Sequence, residues 1–241
     1  MKKLILTAAA FALSASFALA QDMVRMGTEG AYPPYNFIND SGEVDGFEIE
    51  LGNELCARAG LTCTWVTNDW DSIIPNLVSS NYDTIIAGMS ITDERDEVID
   101  FTDDYIPASP SSYVALSADV DTVGGVIVAQ TATIQSAYVA ASGATLVEFS
   151  TADETIAAVR NGEADAVLAD HDYLVPIVAE SGGSLVFAGE QVSIGGGVGM
   201  GIRESDNELR DKFNVAIASM KADGTLNTLL VKWFGDEIGT Y

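Results

Sequence analysis

Apolar and polar positions along the chain fall into two alternating rhythms. "VRMGT" (24–28) reads as a strand that runs into "EGAYPPYNF", a loop whose adjacent prolines exclude regular structure. "SGEVDGF" (41–47) is turn-like. Phe47, Leu51 and Leu55 then recur at i, i+4 and i+8, with Glu48 and Glu50 near the start, which predicts a helix. "TCTWVT" (62–67) returns to strand patterning. Ile73, Ile74, Leu77 and Val78 mark a short helix, and "TIIAG" (84–88) a buried strand. Strands alternating with helices predict a mainly parallel sheet.

The plan then repeats. "YDTIIAGMS" (82–90) has an echo in "ADAVLADHD" (164–172), with Asp83 over Asp165, Ile85-Ile86 over Val167-Leu168 and Ala87 over Ala169. Thr151 and Glu154 form a capping-box pair at the start of the helix before the second strand, and Asn161-Gly162 stops it. Two lobes on one plan are predicted. In the tail, Leu209, Phe213, Ile217 and Met220 share a helix face that ends at "ADG" (222–224). Thr225 is positioned to cap a last helix carrying Leu226, Leu229, Leu230 and Trp233 and stopping at Gly235. "SIGGGVGMGI" (193–202) lacks the spacing of a nucleotide loop and reads as a flexible crossing between lobes.

The first twenty residues change the picture of where the chain works. "MKKLILTAAAFALSASFALA" joins a basic start, an apolar run too short to span a bilayer, and a small-residue site, so it reads as a signal peptide cut after Ala20. Losing Lys2 and Lys3 makes a formal charge of −25 two units more negative. Such a surface repels nucleic acid and anionic lipid. Cys56 and Cys63 are the only cysteines. In an exported chain they predict one disulfide, worth about 2.5 kcal/mol by closing a short loop. With His171 as the only histidine they make a poor zinc site, and no metal or cofactor is expected.

Parallel sheets bind ligands at the carboxyl ends of their strands. That rule selects Ala87, Gly88 and Ser90 on one lobe and Asp170 on the other. Arg95 lies five residues past Ser90, inside "MSITDERDEVIDFTDDY". It has two readings: an ion pair with Asp93, Glu94 or Asp96 on a solvated surface, or a guanidinium reaching back to the strand mouth. In the second, Arg95 grips an α-carboxylate and Asp170 takes an α-ammonium. Gly88 would let its backbone N–H approach, and Ser90 supplies a hydroxyl. "AQTATIQSAY" (129–138) is a strand end entering a helix, so Thr133 and the Ile134 amide either cap that helix or add to the carboxylate clamp. Among enzyme signatures there is no G-x-S-x-G, no cysteine nucleophile and no metal cluster. His171 beside Asp170 is read as a surface histidine.

The motifs "GTEGAYPPYNF", "GEVDGFEIELGNELC", "SIIPNL", "MSITDER", "IDFTDDY" and "KADGTLNTLLVKWFG" resemble the polar amino-acid family of periplasmic solute-binding proteins, the receptors of ABC importers, over nearly the whole mature chain. The resemblance implies an α/β fold of two lobes, each a mainly parallel sheet flanked by helices, joined by two hinge strands near 108–112 and 196–200. Lobe 1 would comprise 21–109 with 198–241, and lobe 2 residues 110–197. It implies a periplasmic monomer with a small-molecule amino-acid ligand and a membrane permease as partner. Carried over by position, Arg95 would bind the α-carboxylate with Gly88, Ser90 and the Thr133–Ile134 amides, and Asp170 the α-ammonium. Tyr32 and Trp70 would wall the side chain, Glu29 would stand where binders of basic ligands place an acid, and Gln130 and Gln135 would flank the site. The lysine/arginine/ornithine- and histidine-binding group, which also has the disulfide, carries serines at the strand end where Ala87 and Gly88 stand, and Thr where Ile134 stands. Trp70 is larger than the usual Leu or Phe. A basic L-amino acid is the expected ligand. The alternatives are a dehydratase-like enzyme on the same fold, acting on a ring-containing acid such as arogenate, and a ligand-sensing input module.

Overall fold

A computed structural model describes residues 23–236 and 238–241, so the expected signal peptide lies outside the described residues. The chain opens with β1 (Met23–Thr28), followed by β2 (Ala31–Tyr32), β3 (Asn36–Ile38) and β4 (Val44–Asp45). These last three pair antiparallel as a small sheet. The expected loop at 29–37 and turn at 41–47 are therefore partly strand. Pro33 and Pro34 sit in the turn between β2 and β3, outside the ladder, where a missing N–H costs nothing.

Helix α1 (Phe47–Ala59) buries Phe47, Leu51 and Leu55 completely, worth about 1.5–3 kcal/mol each. Gly60, in the left-handed region, ends it. Next come β5 (Thr62–Thr67), α2 (Ile73–Val78), β6 (Thr84–Ile85), α3 (Asp93–Asp96) and β7 (Asp100–Phe101). The buried strand expected over 84–88 is shorter than its apolar run, since only Thr84 and Ile85 join the sheet ladders. Cys56 and Cys63 form the expected disulfide between α1 and β5.

The chain then builds β8 (Ser111–Ala115), β9 (Val126–Gln130), α4 (Ile134–Ala141), β10 (Thr145–Phe149), α5 (Ala152–Arg160), β11 (Ala166–Asp170), α6 (His171–Glu180) and β12 (Val186–Val192). It returns through β13 (Gly201–Ile202) to α7 (Asn207–Asp223) and α8 (Thr225–Phe234), which pack on α1. Thr151 caps α5 in a full capping box with Glu154. Thr225 does not cap α8. Gly224 does, and the Thr225 hydroxyl instead accepts a bond from Arg58 Nη2 at 2.9 Å.

The two five-stranded sheets have one design. Their orders are β5-β1-β6-β13-β7 and β10-β9-β11-β8-β12, and in each the first three strands run parallel and the fourth runs antiparallel to both of its neighbours. The echo in the sequence marks a real equivalence. Asp83 accepts the Arg25 backbone N–H at 2.9 Å, and Asp165 accepts that of Val126 at 2.7 Å. Each aspartate thus pins the neighbouring parallel strand by its side chain.

The glycine-rich return is not a loose crossing. Val198 bridges both Ser90 and Ile106, Gly199 donates to the Met89 carbonyl, and Met200 donates to the Thr102 hydroxyl. Backbone on both sides holds it as an inner strand.

Candidate functional site

The two sheets turn the carboxyl ends of β6 and β11 towards one cleft. Its walls are Glu29, Tyr32, Trp70, Ala87, Gly88, Ser90 and Arg95 from one lobe, and Gln130, Thr133, Ile134, Gln135 and Asp170 from the other. About 330 Å³ of space without protein atoms, open solvent included, lies between them. Every residue singled out by sequence as a candidate ligand contact stands on this wall.

Arg95 follows from the surface pattern of its short helix only in part. Thr92 caps α3 by accepting the Arg95 N–H at 3.2 Å. Its Nη1 donates to the Ser90 carbonyl at 2.8 Å, and its Cζ lies 5.4 Å from the Trp70 ring centre. It makes no ion pair with Asp93, Glu94 or Asp96, so the surface reading fails. Its Nε and Nη2 make no hydrogen bond to the protein among the described residues. Burial lowers its pKa to about 10, against the attraction of Asp170 and Glu94.

Asp170 ends β11. Tyr32 Oη donates to its Oδ2 at 2.8 Å, and Gln135 Nε2 donates to its Oδ1 at 2.7 Å. A carboxylate offers about four acceptor sites, so capacity remains for a further cation. Burial pushes its pKa up to about 6, while the Tyr32 and Gln135 bonds and the Arg95 charge act in the other direction. Arg95 and Asp170 form no ion pair with each other.

Glu29 continues from β1. Gln130 Nε2 donates to its Oε1 at 2.7 Å across the cleft. Burial raises its pKa to about 7, opposed by that bond and helped by the charges of Asp69, Glu48 and Asp153. Trp70 Nε1 spans the same gap to the Ala132 carbonyl at 3.3 Å, and Tyr32 stacks on Tyr173 at 4.2 Å between ring centres. Glu29–Gln130, Tyr32–Asp170 and Trp70–Ala132 thus tie the lobes together along the cleft.

At the start of α4, Thr133 accepts the Ser136 N–H at 3.1 Å and donates to the Gln130 carbonyl at 2.7 Å. Its hydroxyl is committed as a cap, and of the first-turn amides only those of Ile134 and Gln135 have no partner within the cap.

The model of the bacterial extracellular solute-binding proteins, family 3, matches residues 24–236. The chain belongs to this family. A histidine-binding periplasmic protein of Escherichia coli K12 is 35% identical to it over 99% of both chains. An L-arginine-binding protein of Pseudomonas aeruginosa is 34% identical, over 99% of this chain and 98% of its own. A solved periplasmic His/Glu/Gln/Arg/opine family-binding protein from Silicibacter pomeroyi, in complex with lysine, is 76% identical with a TM-score of 0.89, covering 90% of this chain and 100% of that one.

One expectation for this family 3 solute-binding protein needs correction. The Gly88 N–H does not face the cleft: it donates to Glu48 Oε1 at 2.6 Å. Glycine is required at 88 for a different reason, a φ of +63°. His171 stands outside the cleft, with Nδ1 2.9 Å from the Ser112 hydroxyl and its ring against Phe187. Sequence reasoning missed Glu48, Ala132 and Tyr173. A signal existed for Glu48, which shares a helix face with Leu51 and Leu55 and so falls on the buried stripe.

Proposed function

We propose that this protein is an extracytoplasmic receptor that closes two lobes on a basic L-amino acid and delivers it to an ABC importer in the membrane. One observation carries this reading. A guanidinium and a carboxylate face the same space from opposite lobes, each with unspent hydrogen-bonding capacity and without pairing with each other. A zwitterionic α-amino acid satisfies both. Its carboxylate takes Arg95 and the amides at the start of α4, and its ammonium takes Asp170.

Glu29 supports a basic side chain. A carboxyl burdened by burial gains most from a cationic partner, and Trp70 and Tyr32 offer aromatic faces beside it. The 76% identical solved protein holds lysine, and curated relatives bind arginine and histidine. The proposed lobe boundaries, 21–109 with 198–241 and 110–197, are supported by chain crossings between the sheets after β7 and after β12.

A thermal-shift panel of the twenty L-amino acids plus ornithine, citrulline and an opine, on protein stripped of ligand, tests the reading. Ligand at a hundred times its Kd adds ~2.7 kcal/mol, a rise of about 5–10 °C for a chain of this size. A shift confined to lysine, arginine or ornithine is the expected result. A shift with a neutral amino acid discards the role of Glu29, and no shift with any compound overturns the receptor.

The enzyme alternative has one observation in its favour: Glu29 holds its proton up to about pH 7, as a general acid would. Turnover of arogenate is its test. The curated relatives cited above are binding proteins, which favours the receptor.

A further inference from the structure

Trp70 begins a single helical turn (Trp70–Ser72) between β5 and α2 and is 8% exposed. The turn is rooted in the lobe of β1. Asn68 Nδ2 donates to the Asp69 carbonyl at 2.7 Å and to the Ser72 hydroxyl at 2.9 Å, and Asn76 Nδ2 donates to Asn68 Oδ1 at 2.7 Å. From this base the indole reaches the other lobe, where Nε1 donates to the Ala132 carbonyl at 3.3 Å. Among the described residues no other donor meets that carbonyl. A phenylalanine or leucine at 70 would fill the same wall and carry no donor.

Ala132 is itself held in an uncommon backbone state. Its φ is +56°, in the left-handed region, and alanine has no polar side chain to offset the cost. Such a residue persists only where its neighbours hold it. Here the Thr131 N–H donates to the Phe149 carbonyl at 2.9 Å, and Thr133 caps α4 while its hydroxyl donates to the Gln130 carbonyl at 2.7 Å. The Ala132 carbonyl is thus aimed by its own lobe, and it meets Trp70 as a preset acceptor.

The bond also stands between two spaces. Trp70 lines the cleft and not the groove outside it, Ala132 lines that groove and not the cleft, and Arg95, Thr133 and Ile134 line both. The groove has exposed Val98 on one lobe and exposed Tyr138 on the other. A bond from lobe to lobe at this place bars the way from Arg95 to the groove. No ligand atom takes part in it.

We propose that Trp70 is the latch of this exit: its indole N–H, bound to the Ala132 carbonyl, holds the Arg95 end of the cleft shut and sets how long a ligand stays. The inference rests on the receptor reading and adds to it a control of release that is separate from recognition. The bond forms only when the lobes meet. Removing it therefore speeds opening and leaves encounter with the open cleft unchanged, so the effect falls on release and not on association.

The test compares wild type, Trp70→Phe and a protein carrying benzothienylalanine at position 70, the isostere of tryptophan with sulfur in place of the indole N–H. Calorimetry gives the Kd of L-lysine, displacement of radiolabelled L-lysine gives the release rate, and release rate divided by Kd gives the association rate. One neutral hydrogen bond is lost in the benzothienyl protein, which should release lysine about fivefold faster. Its association rate should stay within about twofold of wild type. Trp70→Phe, which also trims the wall, should release lysine at least as fast. Release at the wild-type rate from the benzothienyl protein overturns the inference and leaves the receptor intact, because the ring then acts as a wall alone. Slower association with unchanged release would mark a structural role and overturn it too. If wild type does not bind lysine, the basic-ligand reading and this inference fall together.

Discussion

Tyr32 and Asp170, 138 residues apart in the chain, meet across the cleft through a hydroxyl–carboxylate bond of 2.8 Å. The same tyrosine ring lies flat on Tyr173, which follows Asp170 by three residues. One side chain therefore holds the opposite lobe by its edge and by its face. Tyr32→Phe keeps the stack and removes the bond. Hydrogen bonds to charged groups are worth about 1.5–3 kcal/mol, so calorimetry should show lysine affinity reduced about tenfold. Unchanged affinity would show that Gln135 alone suffices to hold Asp170.

Arg95→Ala should abolish amino-acid binding, with at least a hundredfold loss in Kd. The melting temperature of the ligand-free protein should stay the same or rise, because a buried charge without an ion-pair partner is removed. Binding within a few-fold of wild type would sink the carboxylate clamp.

Protons should leave when a basic ligand enters. The folded pKa of Glu29, about 7, lies above its ordinary value of 4.5, and that of Asp170, about 6, lies above 3.8. Between these limits the folded chain holds protons that the unfolded chain has lost. The stability these groups contribute is therefore full below the ordinary carboxyl values and is lost as pH rises through 6 and 7. A lysine ammonium beside Glu29 reverses its shift. Calorimetry at pH 6.5 in buffers of different ionisation enthalpy should detect proton release on lysine binding. Glu29→Gln should reduce that release and weaken lysine and arginine about tenfold relative to neutral amino acids. Equal release in both proteins would separate Glu29 from the ligand.

The equivalent aspartates of the two lobes should not be equally costly to remove. Asp165 mainly accepts one strand amide, and Asp165→Ala should cost about 1 kcal/mol. Asp83 accepts the Arg25 amide and also pairs with the guanidinium groups of Arg25 and Arg203. Asp83→Ala should cost about 3 kcal/mol, since hydrogen bonds to charged groups are lost together. Denaturant unfolding of the two variants checks the order, and Asp165→Ala as the more damaging change would refute it.

Replacing both Cys56 and Cys63 by serine should cost about 2.5 kcal/mol, or roughly 5–10 °C in Tm. Lysine affinity should be unchanged, because the bond joins α1 to β5 away from the cleft wall. A large loss of affinity would link the disulfide to the site.

Much of the fold was legible because its elements are long and regularly patterned. The helices of 47–59 and 207–223, the capping box at Thr151 and the twin strands β6 and β11 all declare themselves by local period and local caps. Errors arose where pairing outweighed local signals. The prolines of 33–34 marked a turn but concealed its flanking strands, and the glycines of 195–201 concealed a backbone held from both sides. Thr225 had the chemistry of a cap and was taken by Arg58 instead.

The sequence by itself determined the α/β alternation, the duplicated plan, the disulfide and the strand-end and helix-start residues of the cleft, because each rests on local period, nearby spacing or the carboxyl-end rule for parallel sheets. Glu29, Tyr32, Trp70, Gln130 and Gln135, by contrast, were placed there by the family resemblance alone. The tertiary structure alone decided which hydrogen-bonding groups were already spent. Gly88 gives its N–H inward to Glu48, Thr133 spends its hydroxyl on its own helix, and Arg95 keeps two nitrogens free of protein partners among the described residues. A hydrogen bond consumes a direction as well as a donor, and direction is set by neighbours that here lie 40 residues away in the chain.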